Sequence, residues 1–234
     1  MIPQLDGNES LISVESDIQP SNRQSIPIIV NVFDRKSLKQ IRTPCRKTIK
    51  RNNRILESTS LPVIMMLNPR SIYNKSEEFK IMIEQYEIDI CCISESWDRE
   101  NLPVEKVLET DGFKVIKNVI QRNRSGGKPI LFINETKFHI QELCPDIVTV
   151  PVGVEAVWAL VTPKNIHANS RVKNIAVASV YYTKATKSGD IIDHINSTFS
   201  LLSAKYGPNL HFAICGDLNR LNIKSVLSVS PNLK

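Results

Sequence analysis

The chain has 234 residues and a formal net charge of +6, and this length accommodates one large or two small domains. It contains 41% hydrophobic residues, enough for a sizeable core, and no run of about 18 apolar residues, so no membrane-spanning helix is expected. The opening MIPQLDGNES lacks the features of a secretory signal, and the five cysteines form no C-x-x-C pair, so we expect a reduced, intracellular protein, nuclear or cytoplasmic, without zinc.

Residues 1–60 are polar and show no sustained apolar period, so we predict a mostly disordered segment in which only SIPIIVNVF (25–33) has strand character. Nine basic residues fall between Arg35 and Arg54, in RKSLKQIRTPCRKTIKRNNR. A cationic run of this kind binds nucleic acid by neutralising phosphates. It is equally compatible with a solvated linker or a nuclear-import signal.

A domain is predicted from residue 61 to residue 234, where apolar patterns become regular. PVIMMLN (62–68) and IDICCISES (88–96) read as strands buried on both faces. GFKVIKN (112–118) and KPILFINE (128–135) flank RNRSGG and predict a hairpin. Between the first two strands, SIYNKSEEFKIMIEQYE predicts a helix from apolar residues at helical spacing, namely Ile72, Phe79, Met82, Ile83 and Tyr86.

The second half of the domain repeats this mixture of strands and helix. VGVEAVWALVTP (152–163) and NIAVASVYY (174–182) predict a strand pair, and LHFAICGDLN contains the last strand. The intervening GDIIDHINSTFSLLSAKYG predicts a helix with an apolar stripe of Ile191, Ile195, Phe199 and Leu202. Strands outnumber helices and most connections have hairpin length, which predicts an α/β sandwich of sheets covered by helices.

Polar side chains follow four of the predicted strands at the point where each strand ends. They are Asn68, Glu95, Tyr181, and Asp217 together with Asn219. Each alone is explained by a turn, an exposed loop or a packed aromatic ring. Strands of one sheet bring equivalent ends to a common rim, where carboxylate and amide oxygens suit Mg²⁺, and an Asp with a nearby Asn suits activation of water.

The motifs LNPRSIYNKSEEF, ICCISESW, RSGGKPILFI, EAVWALV, SVYY and ICGDLN occur in this order. Together they resemble the endonuclease/exonuclease/phosphatase superfamily, and within it the apurinic-endonuclease-like domains of non-LTR retrotransposons. The resemblance covers roughly Leu61 to Lys234 and implies a four-layered, DNase I-like α/β sandwich. It also implies Mg²⁺-dependent hydrolysis of DNA phosphodiesters, with Mn²⁺ as a substitute metal, in an element whose full-length product includes a reverse transcriptase.

The resemblance also assigns roles to the side chains at the strand ends. Asn68 and Glu95 correspond to the metal region, with Glu95 as the main ligand. Tyr181 corresponds to the residue that contacts the scissile phosphate. Asp217 corresponds to the aspartate that positions the attacking water, and Asn219 to the amide that holds the phosphate.

The chain departs from the family pattern after GDLN. The family continues to a further aspartate and an Asp-His pair, whose histidine stabilises charge on the phosphate. This sequence ends 15 residues after Asn219, so the domain is expected to be incomplete at its C-terminus and impaired in catalysis. Asp193-His194 has the same two residue types as the family's Asp-His pair, but it precedes GDLN and lies in a predicted helix. There, His194 is expected at the surface or an edge.

Three functions therefore remain open from the sequence. The first is an impaired Mg²⁺-dependent DNA endonuclease derived from a retrotransposon. The second is a phosphatase or ribonuclease of the same superfamily, because these branches share the Asn, Glu and Asp-x-Asn positions. The third is a non-catalytic remnant that binds nucleic acid through residues 35–54.

Overall fold

The computed structural model describes residues 32–33, 62–117, 127–165, 173–182, 187–207 and 210–218. The predicted N-terminal segment and its basic run lie outside these ranges, apart from the two residues 32–33. The boundary near residue 60 therefore stays a prediction. None of the helices within the described ranges is both long and apolar enough to cross a bilayer.

The first sheet has five strands in the order β1-β2-β3-β5-β4. Its members are β1 (Val32–Phe33), β2 (Ile64–Leu67), β3 (Ile90–Ile93), β4 (Phe113–Lys117) and β5 (Ile130–Asn134). The first three run parallel, whereas β5 is antiparallel to both β3 and β4. Every residue of β2 and β3 is buried, which confirms the prediction from their continuous apolar runs.

The second sheet has four strands in the order β6-β7-β8-β9. They are β6 (Phe138–Glu142), β7 (Glu155–Pro163), β8 (Asn174–Tyr181) and β9 (Leu210–Asp217). The β6–β7 and β7–β8 pairs are antiparallel, and β8 runs parallel to β9. Strand β6 was not predicted, because it is an edge strand in which only Phe138 is buried and its apolar signal is weak.

Helices cover the outer face of each sheet. The elements are α1 (Ser76–Gln85), the short α2 (Val104–Val107), which was not predicted, and α3 (Ser188–Tyr206). Helix α1 buries Phe79, Met82 and Ile83 against the first sheet, and α3 packs on the second. Tyr86 does not belong to the buried stripe as predicted, because it follows the last turn of α1 and is 49% exposed.

The two sheets pack face to face through the side chains that point away from the helices. Met66 and Cys92 of the first sheet belong to the same apolar cluster as Val157, Val177 and Cys215 of the second. Each large apolar side chain buried in this way contributes roughly 1.5–3 kcal/mol. The order helix, sheet, sheet, helix confirms the predicted four-layered α/β sandwich.

Three cysteines of strands β3 and β9 are free thiols. Cys91, Cys92 and Cys215 are buried, and none of them forms a disulfide. Burial raises the pKa of Cys91, and a hydrogen bond with Cys215 together with burial raises that of Cys92. Thiols held in the protonated form behave as small apolar side chains.

The prediction that His194 lies at the surface or an edge is wrong. It is only 3% exposed, on the face of α3 that carries Ile191 and Ile195. Its Nε2 accepts a hydrogen bond from the indole Nε1 of Trp158 at 3.1 Å. Because burial disfavours the charged imidazole, the pKa of His194 falls to about 4.

This pair predicts a loss of stability in mild acid. Between the ordinary pKa of 6.5 and the folded value of about 4, the unfolded chain binds the proton more readily. The contribution of His194 is therefore complete above pH 6.5 and declines as the pH falls toward 4. His194→Gln keeps an acceptor without titrating, so the difference in melting temperature between the parent chain and the variant should change across this interval. A constant difference from pH 7 to pH 4 would contradict the assignment.

Candidate active site

The candidate site lies at the edge where two pairs of parallel strands end. Strands β2 and β3 end beside each other in the first sheet, and β8 and β9 do so in the second. The Asn68 amide nitrogen donates to Glu95 Oε1 at 3.0 Å and to Asp217 Oδ2 at 2.6 Å. One side chain thus joins carboxylates carried by both sheets.

The backbone around Asn68 fixes the orientation of its amide. The Oδ1 atom accepts the Arg70 backbone N–H at 3.2 Å, which leaves the nitrogen directed at the two carboxylates. The next residue, Ser71, donates its N–H to the Glu95 carbonyl at 3.0 Å. The exits of β2 and β3 are therefore tied together, and the distance between Asn68 and Glu95 is set by main-chain contacts.

Tyr181 lies beside these groups, in register with Asp217 across the β8–β9 pair. Burial raises the pKa of Tyr181 to about 12, and the negative charges of Glu95, Asp217 and Glu155 and a hydrogen bond with Glu95 act in the same direction. The phenol is consequently protonated at neutral pH and is available as a donor. The same charges make this edge electronegative, which favours a cation.

Glu155 was not recognised from the sequence as part of this edge. It opens β7, which runs antiparallel to β8, and so faces Tyr181 in the register of the two strands. Its Oε2 accepts the Lys128 backbone N–H at 2.9 Å. The sequence signal was a charged residue opening the apolar run EAVWALV, but only the antiparallel pairing brings the start of this strand to the edge where the others end.

The loops that border the site are held by contacts to one another. Ser96 Oγ donates to the Lys128 carbonyl at 2.5 Å, and the Trp97 backbone N–H to the Gly127 carbonyl at 3.5 Å. Gly127 has a φ of +69°, and a Cβ built there would lie 2.0 Å from Glu155 Oε2. The positive φ favours glycine at this turn, and an added Cβ would displace the Glu155 carboxylate.

Positive φ angles are concentrated at this edge. Of the five non-glycine residues with positive φ in the described ranges, four border the site: Arg70, Ser71, Trp97 and Lys128. Such a conformation costs roughly 1–2 kcal/mol per residue, and it commonly persists where a functional site needs it.

The structure thus brings together Asn68, Glu95, Tyr181 and Asp217, four of the five candidates. Asn219, the fifth, lies outside the described residues. The chemical roles assigned to all five stay predictions.

The donor set at this edge is sparse and composed of oxygen ligands. No group of three or more His, Cys, Asp or Glu suited to a metal ion occurs in the described part of the chain. The available donors are the carboxylates of Glu95 and Asp217, whereas the amide oxygen of Asn68 is held by the Arg70 backbone N–H. That set fits Mg²⁺, which binds through one or two carboxylates and keeps several water ligands. It does not fit a site closed entirely by protein ligands.

No family model and no curated protein sequence matches the chain. Among solved structures, the endonuclease domain of TRAS1, a telomere-specific non-LTR retrotransposon, matches at 15% identity and a TM-score of 0.44, over 66% of this chain and 58% of that domain. The AP endonuclease of Leishmania major matches at 14% identity and a TM-score of 0.48, over 67% of this chain and 54% of that enzyme. An endonuclease/exonuclease/phosphatase protein from Bacteroides vulgatus matches at 13% identity and a TM-score of 0.48, over 72% of this chain and 70% of that protein.

The similarity concerns fold alone, and at these identities it transfers no activity or substrate. This chain spans 58% of the TRAS1 domain and 54% of the Leishmania enzyme. The α/β sandwich itself is established by the two sheets and the helices that cover them.

The close approach of β8 and β9 behind the site predicts a strict requirement for Gly216. Its φ is +147°, and a Cβ built there would lie 1.8 Å from the Val180 carbonyl oxygen. Gly216→Ala should therefore lower the free energy of unfolding by roughly 1–3 kcal/mol, measured by denaturant titration. The matched control is Gly189→Ala on α3, where nothing lies within 4 Å of the added Cβ. Equal stability of the two variants would refute the packing argument.

Proposed function

We propose that the chain is a Mg²⁺-dependent phosphodiester hydrolase of the retrotransposon endonuclease type, acting on DNA. The observation that carries this proposal is the Asn68 amide, which contacts the carboxylates of Glu95 and Asp217 at the strand ends. Two negative charges sharing one neutral donor repel each other. A divalent cation at this point would relieve that repulsion.

Glu95 would be the main ligand of the metal ion, and Asn68 would join it through its amide oxygen once the amide group turns away from the Arg70 N–H. When bound, Mg²⁺ or Mn²⁺ neutralises the phosphate and stabilises the leaving oxygen. Asp217 would orient the attacking water and accept its proton, as a carboxylate within hydrogen-bonding reach can do. Tyr181 would donate its hydroxyl to a phosphate oxygen. Asn219 would hold another phosphate oxygen.

Cationic groups around this edge support a nucleic-acid substrate. Arg70 and Arg99 are exposed on the loops that follow β2 and β3. The basic run Arg35 to Arg54 begins two residues after Phe33, which pairs with the residue immediately before Asn68. Lysine and arginine near the phosphates supply sequence-independent affinity through counterion release.

The described histidines lie away from the proposed phosphate site. His139 pairs with Thr162 near the far end of β7, and His211 lies at the start of β9. His194 lies on the buried face of α3. Tyr181 therefore provides a neutral hydroxyl donor at this edge for a developing oxyanion.

Cleavage of supercoiled plasmid tests the proposed reaction. We expect slow nicking with Mg²⁺ or Mn²⁺ that stops in EDTA, because the carboxylates require the ion. Glu95→Gln and Asp217→Asn should each reduce the rate at least tenfold, since a lost metal or general-base contact is commonly worth about 10²-fold or more. The matched control is Glu84→Gln, an exposed position on α1 that should cleave like the parent chain.

The alternative outcomes separate the remaining functions. Glu95- and Asp217-dependent hydrolysis of RNA or an inositol phosphate, without DNA nicking, would favour the ribonuclease or phosphatase branch. Salt-sensitive DNA binding that is independent of both carboxylates, without hydrolysis of any of these substrates, would favour the non-catalytic remnant.

Melting temperature provides a test of metal binding that does not depend on turnover. Mg²⁺ should raise the melting temperature of the parent chain. At a Mg²⁺ concentration one hundred times the dissociation constant, the folded state should gain about 2.7 kcal/mol of stability. In EDTA, Glu95→Gln should be at least as stable as the parent, because a repulsive charge is removed. It should gain little when Mg²⁺ is added. The same gain in both proteins would place the ion elsewhere.

A further inference from the structure

We infer that Trp97 forms a stacking surface for a nucleobase beside the candidate active site, an inference that rests on the proposed nucleic-acid substrate. Trp97 is 38% exposed, whereas Trp158, the other tryptophan of the chain, is completely buried. Single exposed apolar residues are common on protein surfaces. Exposure alone therefore does not indicate a function for Trp97, and its contacts and backbone conformation have to do so.

Trp97 is attached directly to the proposed metal ligand. Its indole Nε1 donates to Glu95 Oε2 at 3.3 Å, whereas the other oxygen of that carboxylate accepts from Asn68. The polar edge of the indole is thus directed toward the site. The faces of the aromatic ring are the part of the side chain that can stack on a base.

The backbone of Trp97 also favours a functional explanation. Its φ of +57° lies in the left-handed region, which bulky side chains rarely adopt. The backbone N–H donates to the Gly127 carbonyl, and the preceding Ser96 is anchored to Lys128. A large aromatic side chain is therefore presented on a braced and strained loop beside the carboxylates.

One neighbouring residue, Arg99, which lies between Asp98 and Glu100, provides positive charge for a phosphate backbone. The Arg99 guanidinium lies 4.4 Å from the centre of the Tyr73 ring, and the backbone N–H of Arg99 donates to the Tyr73 hydroxyl at 2.7 Å. Surfaces that bind single strands combine such cations with aromatic rings on which bases stack.

The size of the apolar surface argues against a protein partner here. In the described part of the chain, Leu102 is the other large hydrophobic residue of this loop that is more than 36% exposed. Stable protein interfaces use roughly 20–30 residues on each side. One indole and one leucine provide an area suited to a base.

Fluorescence provides a direct test, because iodide should quench exposed Trp97 but not buried Trp158. The probe is a short single-stranded oligodeoxynucleotide added in EDTA, so that no cleavage occurs. We expect the oligonucleotide to change the emission and to protect Trp97 from iodide. The control is an abasic deoxyribose-phosphate oligomer of the same length and charge, which should do neither. An identical response to both would overturn the stacking assignment.

Variants separate the ring from its N–H group. In an Asp217→Asn background, where cleavage is removed, Trp97→Leu should weaken oligonucleotide binding roughly tenfold, in line with loss of one stacked base. Trp97→Phe keeps a ring without the Glu95 contact and should bind within about threefold of the parent. Circular dichroism and melting temperature would verify that both variants fold. Equal affinity of Trp97→Leu and the parent would refute the inference.

The two proposals fail in different ways. If the parent chain nicks DNA in a Glu95-dependent manner but Trp97→Leu binds normally, only the role of Trp97 is wrong. If the parent chain binds no oligonucleotide and nicks no plasmid, the nucleic-acid substrate itself is wrong, and the stacking role is refuted with it.

Discussion

The hydrogen bonds of the Asn68 amide join the two sheets at the edge where the candidate site lies. Asn68 follows β2 of the first sheet, and Asp217 ends β9 of the second. This contact can form only because the inner faces of both sheets are apolar and pack closely. Ser179 adds a second link inside the core, since its hydroxyl donates to the Ile93 carbonyl at 3.0 Å. The geometry of the site is thus a consequence of how the sandwich closes.

The same edge concentrates features that weaken a protein locally. Carboxylates lie near one another, the phenol of Tyr181 is surrounded by negative charge, and four residues adopt positive φ angles. A fold tolerates such groups when the surrounding structure holds them in place. The main-chain contacts of Ser71 and Lys128 and the close pairing at Gly216 provide that support. Local strain and charge repulsion together suggest that this edge is organised around a ligand.

Trp97 adds a proposed binding surface for a nucleobase next to the candidate active site. Its hydrogen bond to Glu95 couples the exposed ring to a proposed metal ligand. A substrate that stacks on the ring would be positioned relative to the carboxylate by the protein itself. Positioning of this kind is a large part of how a site that neutralises phosphate charge accelerates hydrolysis.

The sequence alone determined the central strands, the two longer helices and the clustering of polar groups at strand ends. These signals are local: continuous apolar runs such as ICCI, helical spacing around Phe79, and Asp217 directly after a buried strand. Tertiary structure decided what local signals cannot encode. Antiparallel pairing of β7 with β8 places Glu155 at the edge of the candidate site. His194 is buried because its helix faces Trp158. The left-handed backbone conformation of Trp97 lets its indole contact Glu95. Each depends on a partner distant in sequence or on a backbone angle, neither of which a residue pattern specifies.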